Sequence, residues 1–300
     1  MLSTGIILAT ACGIGWIVSD AMRKRLAATA DPLPLAVWLA ASQLVILLLA
    51  TPILLNLPSL GSWSVWSIQD DYWLYSAPTF ICTAIGHVFF LKALRLADLG
   101  LTIPYLSFSP ILVMLFAMVF LHEWPTMPAL VGLFIVAGGA FLLNRRRDKS
   151  ADNIQASDQD KGILFMLATT VLWSAGAAFD KAAIQYASSL THLTLLLGST
   201  VFILECYRRL FANRSKSAHL ERRQIGMIVL VGLVMLSAIA LQFSAYSHWD
   251  VAYVEAVKRA LGLIGSVVAG TMFFNEGQLR KRLAAVVLMA CGTALIVVFG

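Results

Sequence analysis

The sequence predicts an all-α membrane protein in which ten transmembrane helices form two inverted five-helix repeats. Three observations predict this fold: an apolar composition, ten apolar runs, and identities between the halves of the chain at nearly constant offsets. The 300 residues are 59% hydrophobic and 13% charged, with a mean hydropathy of +0.82. Soluble chains carry about 25% charged residues, so lipid is expected to surround most of this chain.

Charge and cysteine content exclude several classes of protein. The formal charge is +6, but the basic residues cluster between apolar runs, where membrane topology explains them better than nucleic-acid binding does. The four cysteines lie inside apolar runs and lack the spacing of metal or disulfide sites. We therefore expect membrane lipid and a small-molecule substrate as partners, and no nucleic acid, metal or cofactor. The sequence does not set the oligomeric state.

The apolar runs have the length that a membrane span requires. A helix needs about 20 apolar residues to cross a hydrocarbon core of roughly 30 Å. Such runs lie at 5–22, 35–55, 74–96, 101–121 and 127–143, and then at 162–179, 190–210, 225–246, 251–274 and 283–299. The polar segment 145–161 predicts a linker between a first repeat, 1–144, and a second repeat, 162–300.

Matched residues indicate that the two halves are copies of one unit. Trp16 matches Trp173 at an offset of 157, and Glu123 matches Glu276 at an offset of 153. Because five is odd, the second copy must lie upside down relative to the first. Such inverted repeats are typical of secondary transporters.

The distribution of Lys and Arg predicts the orientation in the membrane. Of the 22 basic residues, 19 fall in the odd-numbered connections between runs. Cytoplasmic loops are enriched in Lys and Arg, so both termini are predicted to lie outside, in a bacterial inner membrane or a plasma membrane.

The chain resembles the EamA-type ten-helix members of the drug/metabolite transporter superfamily. The resemblance rests on a Trp late in the first helix of each half, on two prolines in the fourth run, and on two helix-ending acidic segments. These are Trp16, Trp173, Pro104, Pro110, His122-Glu123-Trp124-Pro125 and Asn275-Glu276-Gly277. Many members of this group keep both termini in the cytoplasm. Either this branch is inverted or the helix count differs by one.

The ninth run contains the most informative charges of the chain. Lys258 follows Asp250 by eight residues, which places it about 12 Å deep in the membrane. A cation at that depth costs about 2.5 to 3.5 kcal/mol to insert, so it usually faces a protein interior or a watered cavity. The alternative is a structural lock in which Glu255 pairs with Arg259 at i, i+4. We favour function because the lock would leave Lys258 without a partner.

The adjacent Lys258 and Arg259 resemble a Lys-Arg pair of plastid phosphate translocators, distant members of the same superfamily. In those proteins the pair holds the phosphate group of the substrate. The resemblance implies that Lys258 and Arg259 bind an anionic group, and both side chains suit phosphate or carboxylate.

Four further residues are candidates for substrate binding. His87 and Lys92 lie in the third run, Tyr105 matches Lys258 at the offset of 153, and Tyr253 lies beside the charged segment. An interior hydrogen bond is the alternative for His87, and an interfacial position is the alternative for Lys92. Trp16 and Trp173 are weaker candidates.

Two Asp-Lys combinations end the first helix of each half. Asp20 with Lys24, and Asp180 with Lys181, resemble a feature of one EamA-type branch, or form simple helix-end ion pairs.

These observations favour a secondary active transporter of a small polar metabolite that works by alternating access. The cations near the expected cavity outnumber Glu255, which favours an anionic or zwitterionic substrate. We expect the third, fourth, eighth and ninth helices to line the cavity. Enzyme motifs are absent from the sequence, so catalysis is not expected. The alternative is a non-transporting membrane protein that binds lipid or assists assembly.

Overall fold

The described part of the chain forms ten α-helices that follow the ten apolar runs. The computed structural model describes residues 2–97, 102–144, 153–211, 222–274 and 279–299. Its helices are α1 (Leu2–Thr29), α2 (Pro32–Leu55), α3 (Tyr72–Leu96), α4 (Ser109–Phe120), α5 (Met127–Asn144), α6 (Asn153–Tyr186), α7 (Ser189–Phe211), α8 (Arg222–Tyr246), α9 (Val251–Phe274) and α10 (Leu279–Phe299). No strand occurs in these ranges, which confirms the all-α class.

Six of the described helices are long and apolar enough to cross a membrane. They are α1, α2, α3, α6, α7 and α8. The apolar stretches whose side chains are described in α4, α5 and α10 are shorter, at Ser109–Phe120, Met127–Gly139 and Val287–Ile296. Length and composition therefore support a membrane protein, whereas the count of ten spans stays a proposal.

The fourth run is not the single helix that the sequence predicted. A 3₁₀ helix covers Ile103–Phe108, and α4 begins only at Ser109. A proline lies in the first turn of each segment, Pro104 in the 3₁₀ helix and Pro110 in α4. Proline lacks the N–H that a helix interior needs but suits a first turn, so each proline starts a new segment.

The sixth helix begins earlier than its apolar run. Its first residue is Asn153, inside the segment 145–161 that the sequence assigned to a linker. Lys161 contacts Asp158 at 3.2 Å, an i, i+3 pair that extends the helix with polar residues. Residues 145–152 of that segment lie outside the described ranges.

The helices pack in a pattern that is unchanged when the two halves are exchanged. The exchange replaces α1 by α6, α2 by α7, α3 by α8, α4 by α9 and α5 by α10. The contact between α3 and α6 then corresponds to the contact between α8 and α1, and the contact between α4 and α6 corresponds to that between α9 and α1. Three further contacts join corresponding helices and are therefore unchanged by the exchange: α2 with α7, α4 with α9, and α5 with α10. Each half therefore occupies an equivalent environment in the fold.

Described residues in or beside the connections after α1, α3 and α7 meet at one end of the bundle. The Arg95 side chain, at the end of α3, donates to Asp31, which follows α1, at 2.6 Å. Gln224, in the first turn of α8, donates to Thr29 at the end of α1 at 3.5 Å. In the sequence, most of the basic residues of the chain lie in or beside the connections that follow odd-numbered helices.

The remaining connections meet at the opposite end. The backbone N–H of Gln69, which follows α2, donates to Tyr186 at the end of α6 at 2.8 Å. The Thr126 hydroxyl, which follows α4, donates to the carbonyl of Phe299 at the end of α10 at 2.7 Å. Consecutive helices therefore run between two ends of one bundle.

Helices α5 and α10 approach closely where two glycines face each other. A Cβ atom added to Gly292 would lie 2.8 Å from the carbonyl oxygen of Gly132, and one added to Gly132 would lie 2.7 Å from the carbonyl of Gly292. Small residues at helix crossings allow the backbones of membrane helices to touch. This contact joins the last helices of the two halves.

We expect Gly292→Ala to destabilise the fold by about 1 to 3 kcal/mol, because the new methyl group must push α5 and α10 apart. Gly138→Ala, on α5, is the matched control, since a Cβ atom there meets nothing within 4 Å. Thermal unfolding of the purified variants in detergent checks the difference. Equal stability of the two variants would contradict the close contact.

Candidate functional site

A cavity lies between the two halves of the bundle. Its volume is about 670 Å³, counting the space that is continuous with solvent. Side chains from α1, α3, α6, α7, α8 and α9 line it. The lining residues are Trp16, Asp20, Arg23, Thr83, His87, Trp173, Gly176, Ala177, Asp180, Leu196, Ile239, Gln242, Phe243, Glu255, Lys258 and Arg259. Helices α3, α8 and α9 line this cavity as the sequence predicted, together with α1, α6 and α7, and no described residue of α4 is among the lining residues.

The first helices of the two halves contribute matched positions. On α1, Trp16, Asp20 and Arg23 follow each other at i, i+4 and i+7, and therefore share one face. The offset of 157 carries these positions to Trp173, Ala177 and Asp180 on α6, which also line the cavity. Equivalent faces of α1 and α6 therefore line the same cavity, but their side chains carry different charges.

A closed hydrogen-bond network holds Lys258. Its ammonium group contacts the Glu255 carboxylate and donates to Gln242 Oε1 at 3.0 Å. Tyr246 donates to Glu255 at 3.0 Å and accepts from Gln242 at 2.6 Å. The Trp16 indole donates to Gln242 Oε1 at 3.0 Å. Buried charges need such partners, and Glu255 and Lys258 are both almost fully buried.

This arrangement corrects the pairing that the sequence suggested. Lys258 is not left without a partner, because it holds the closer contact with Glu255 at i, i+3. Arg259 Nη2 lies 3.7 Å from the other carboxylate oxygen of Glu255. The helical spacing allowed both pairs, and in the structure Gln242 of α8 also accepts a hydrogen bond from Lys258.

Among the described residues, Arg259 uses a smaller share of its donors than Lys258 does. Its Nε donates to the Ser109 hydroxyl at the start of α4 at 3.0 Å. Its side chain is 12% exposed and lines the cavity. Two cations therefore face one carboxylate, and Arg259 carries the less compensated charge.

A second cluster of polar side chains surrounds Asp180 of α6. Thr79 donates to Asp180 at 2.6 Å, and His192 Nε2 lies 3.1 Å from the same carboxylate oxygen. The other ring nitrogen of His192 lies 2.9 Å from the Tyr72 hydroxyl. Among the described residues, His192 is the one ion-pair partner of Asp180. The carboxylate therefore lines the cavity with no described Lys or Arg paired to it.

The two lysines at the ends of α1 and α6 have matching roles. Lys24 donates to the backbone carbonyls of Leu94 and Ala97 at 2.6 and 2.8 Å, at the end of α3. Lys181 donates to the carbonyl of Trp249 at 3.0 Å, just after α8. Each lysine thus donates to backbone carbonyls at, or just after, the end of the third helix of its own half.

Lys181 also joins two acidic residues in the connections. It contacts Glu123, which follows α4, and lies 3.8 Å from Asp250. Burial raises the pKa of Glu123, and the charge of Lys181 opposes that effect. Asp20 pairs with Arg23, whereas Asp180 contacts His192, so the ion pairs differ from the two combinations that the sequence suggested.

The structure brings four of the seven predicted site residues together at the cavity. Lys258, Arg259 and Glu255 line one side. His87 lines another side, with its ring 5.7 Å from the Trp173 ring. The weaker candidates Trp16 and Trp173 line the cavity as well.

The other three predicted residues are not among those that line the cavity. Lys92 lies over the Phe165 ring at 5.2 Å. The backbone carbonyl of Tyr105 accepts a hydrogen bond from Thr170 at 3.3 Å. The Tyr253 hydroxyl accepts from the backbone N–H of Thr126 at 3.2 Å, in the α4–α5 connection. Their contacts are those of residues that support helix packing.

Arg23 is a cavity residue that sequence reasoning missed. It was counted among the basic residues of a connection because the apolar run ends at residue 22. Helix α1 continues to Thr29, which turns Arg23 inward with Trp16 and Asp20. The i, i+4, i+7 spacing of these three residues is the signal that could have found it.

Comparisons with known proteins identify the family. The chain contains two matches to the model of the EamA-like transporter family, at residues 3–145 and 160–298. The chain therefore belongs to this family and is a membrane transporter of the drug/metabolite transporter superfamily. No curated protein matches it. A solved structure described as "Crystal structure of protein" has 15% identity and a TM-score of 0.71, covering 98% of this chain and 96% of that one. At that identity the likeness shows the fold alone.

Proposed function

We propose that the chain is a secondary transporter of a small anionic or zwitterionic metabolite, and that the cavity between its halves is the substrate site. The observation that carries this proposal is a set of buried charges around one cavity, contributed by both halves. Ionisable residues within membrane segments are costly and usually mark substrate or ion pathways. Membership of a transporter family favours this function over a lipid-binding or assembly role.

Alternating access by two inverted repeats would suit this fold. The packing is unchanged on exchange of the halves, and matched lysines hold the ends of α3 and α8. If all ten helices cross the membrane, α3 and α8 end on opposite faces, because their numbers differ in parity. The two lysine contacts would then stabilise opposite ends of the cavity, as an inverted repeat requires.

The balance of charge favours a zwitterion over a dianion. Three cations (Arg23, Lys258 and Arg259) and three carboxylates (Asp20, Asp180 and Glu255) line the described cavity. A zwitterion adds no net charge to this set, whereas a dianion would leave two negative charges in a low-dielectric space. Arg259 would bind the anionic group, and Asp180 would bind the cationic group.

A ligand screen tests the proposed substrate class. Purified protein is heated with monocarboxylates, phosphorylated metabolites, amino acids or simple amines at matched ionic strength. We expect amino acids or other zwitterions to raise the apparent melting temperature most, since a ligand that binds the folded form stabilises it. Counterflow of a labelled hit into proteoliposomes then tests transport. Stabilisation by amines alone, or binding without counterflow, would contradict the proposal.

We expect both termini to lie outside the cytoplasm, because 19 of the 22 basic residues belong to the odd-numbered connections. A carboxy-terminal reporter that is active only in the cytoplasm should be silent, and one that is active only outside should give signal. The same reporters fused after Arg145 should give the reverse pattern. An active cytoplasmic reporter at the carboxy terminus would show that the orientation is wrong.

A further inference from the structure

Arg23 is the most deeply buried cation in the described part of the chain. It lies on α1 with only 1% of its surface exposed. Its Nη2 atom contacts the Asp20 carboxylate one helical turn earlier. This ion pair uses one of the three guanidinium nitrogens.

The other two nitrogens of Arg23, Nε and Nη1, have no acceptor within hydrogen-bonding distance among the described residues. Aromatic rings surround the group instead. The guanidinium carbon lies 4.2 Å from the Phe90 ring centroid, 5.4 Å from that of Trp16 and 5.8 Å from that of Trp173. Ring contacts stabilise the positive charge but do not replace an in-plane acceptor for the N–H groups. Charged donors left in this state are unfavourable unless another molecule supplies the acceptor.

Arg23 lies at the cavity, where a bound molecule would supply such an acceptor. Arg23 lines the same cavity as Arg259, and the two positive charges repel each other. Two of the three cavity carboxylates already hold a cation, Asp20 with Arg23 and Glu255 with Lys258, and the third, Asp180, accepts no hydrogen bond from Arg23 Nε or Nη1. An anionic group between the two arginines would satisfy donors on both sides and remove the repulsion.

We propose that Arg23 is a second anion-binding residue of the cavity and that it shares the carboxylate or phosphate group of the substrate with Arg259. This inference rests on the proposed function. It assigns Arg23 of the first half as the residue that binds the anionic group together with Arg259 of α9. Each half would then hold the anionic group through one arginine, from α1 and from α9. A substrate without such a group would leave the donors of both arginines unmatched.

Two substitutions separate binding from folding. Arg23→Lys keeps the positive charge and a partner for Asp20, but it removes the guanidinium donors. The double variant Asp20→Asn with Arg23→Gln removes the ion pair as a unit, so neither charge is left alone. Arg25→Gln is the matched control, because Arg25 lies two residues further on the same helix and is exposed.

The experiment measures stabilisation of each purified variant by acetate, inorganic phosphate and a set of neutral α-amino acids, with chloride at the same ionic strength as reference. We expect the anionic or zwitterionic probe that stabilises the wild type to bind Arg23→Lys and the double variant at least tenfold more weakly. It should bind Arg25→Gln as it binds the wild type. If Arg23→Lys or the double variant binds equally well, this inference is wrong while the proposed function stands. If no probe stabilises the wild type, the proposed substrate class fails and this inference fails with it.

Discussion

Replacing Lys258 with Gln should lower the free energy of unfolding by about 3 to 5 kcal/mol, the usual effect of removing one partner of a buried ion pair. The reason is that Glu255 would keep a buried negative charge, with Arg259 at 3.7 Å as its remaining cation. Gln242 and Trp16, which also contact Lys258, would lose a partner. Denaturant unfolding in detergent micelles, followed by circular dichroism, measures the loss.

The double variant Glu255→Gln with Lys258→Gln is the decisive control. It removes both charges while the amide groups can still bond to Tyr246 and Gln242, so we expect most of the lost stability to return. This recovery would show that Glu255 and Lys258 form the structural lock. Full stability of the single variant Lys258→Gln would contradict the lock and restore Lys258 as a residue free to bind substrate.

Much of this fold could be predicted because lipid imposes a simple pattern on the sequence. Spans of about 20 apolar residues are visible without knowledge of any contact, and the ten runs predicted the ten described helices. The failures occurred where local backbone chemistry decides the structure. Pro104 and Pro110 divided the fourth run, and polar residues from Asn153 onward extended α6 beyond its apolar part.

The candidate site could be predicted only in part because spacing along one helix does not show which neighbour approaches. The sequence placed Glu255, Lys258 and Arg259 within one turn of each other, but the closer ion pair depends on Gln242 and Tyr246 of α8. Lys92, Tyr105 and Tyr253 were chosen by residue type and position, and tertiary packing directs them elsewhere. Arg23 was missed because apolar runs mark where a helix lies in lipid, not where it ends.

Replacing Arg259 with Gln should remove transport while leaving the fold intact. Glu255 keeps its contact with Lys258, so we expect the free energy of unfolding to change by no more than about 1 kcal/mol. Loss of a buried charged contact to the anionic group should weaken binding by about 2 to 5 kcal/mol, or roughly 30-fold to several thousand-fold. Arg259→Lys should lose less, because it keeps the charge but not the fork of donors.

Counterflow in proteoliposomes with the zwitterion that best stabilises the wild type measures transport, and thermal unfolding of the same preparations measures stability. Arg209→Gln is the control, because Arg209 is 75% exposed and pairs with Glu205 at the end of α7, away from the cavity. That variant should transport at the wild-type rate. Because Lys258 belongs to the lock and Arg259 to the substrate site, the two variants should fail differently: Lys258→Gln in unfolding, and Arg259→Gln in binding alone. Normal transport by Arg259→Gln, or an equal loss of stability in both variants, would place Arg259 in the lock and leave the anionic group of the substrate without its proposed partner on α9.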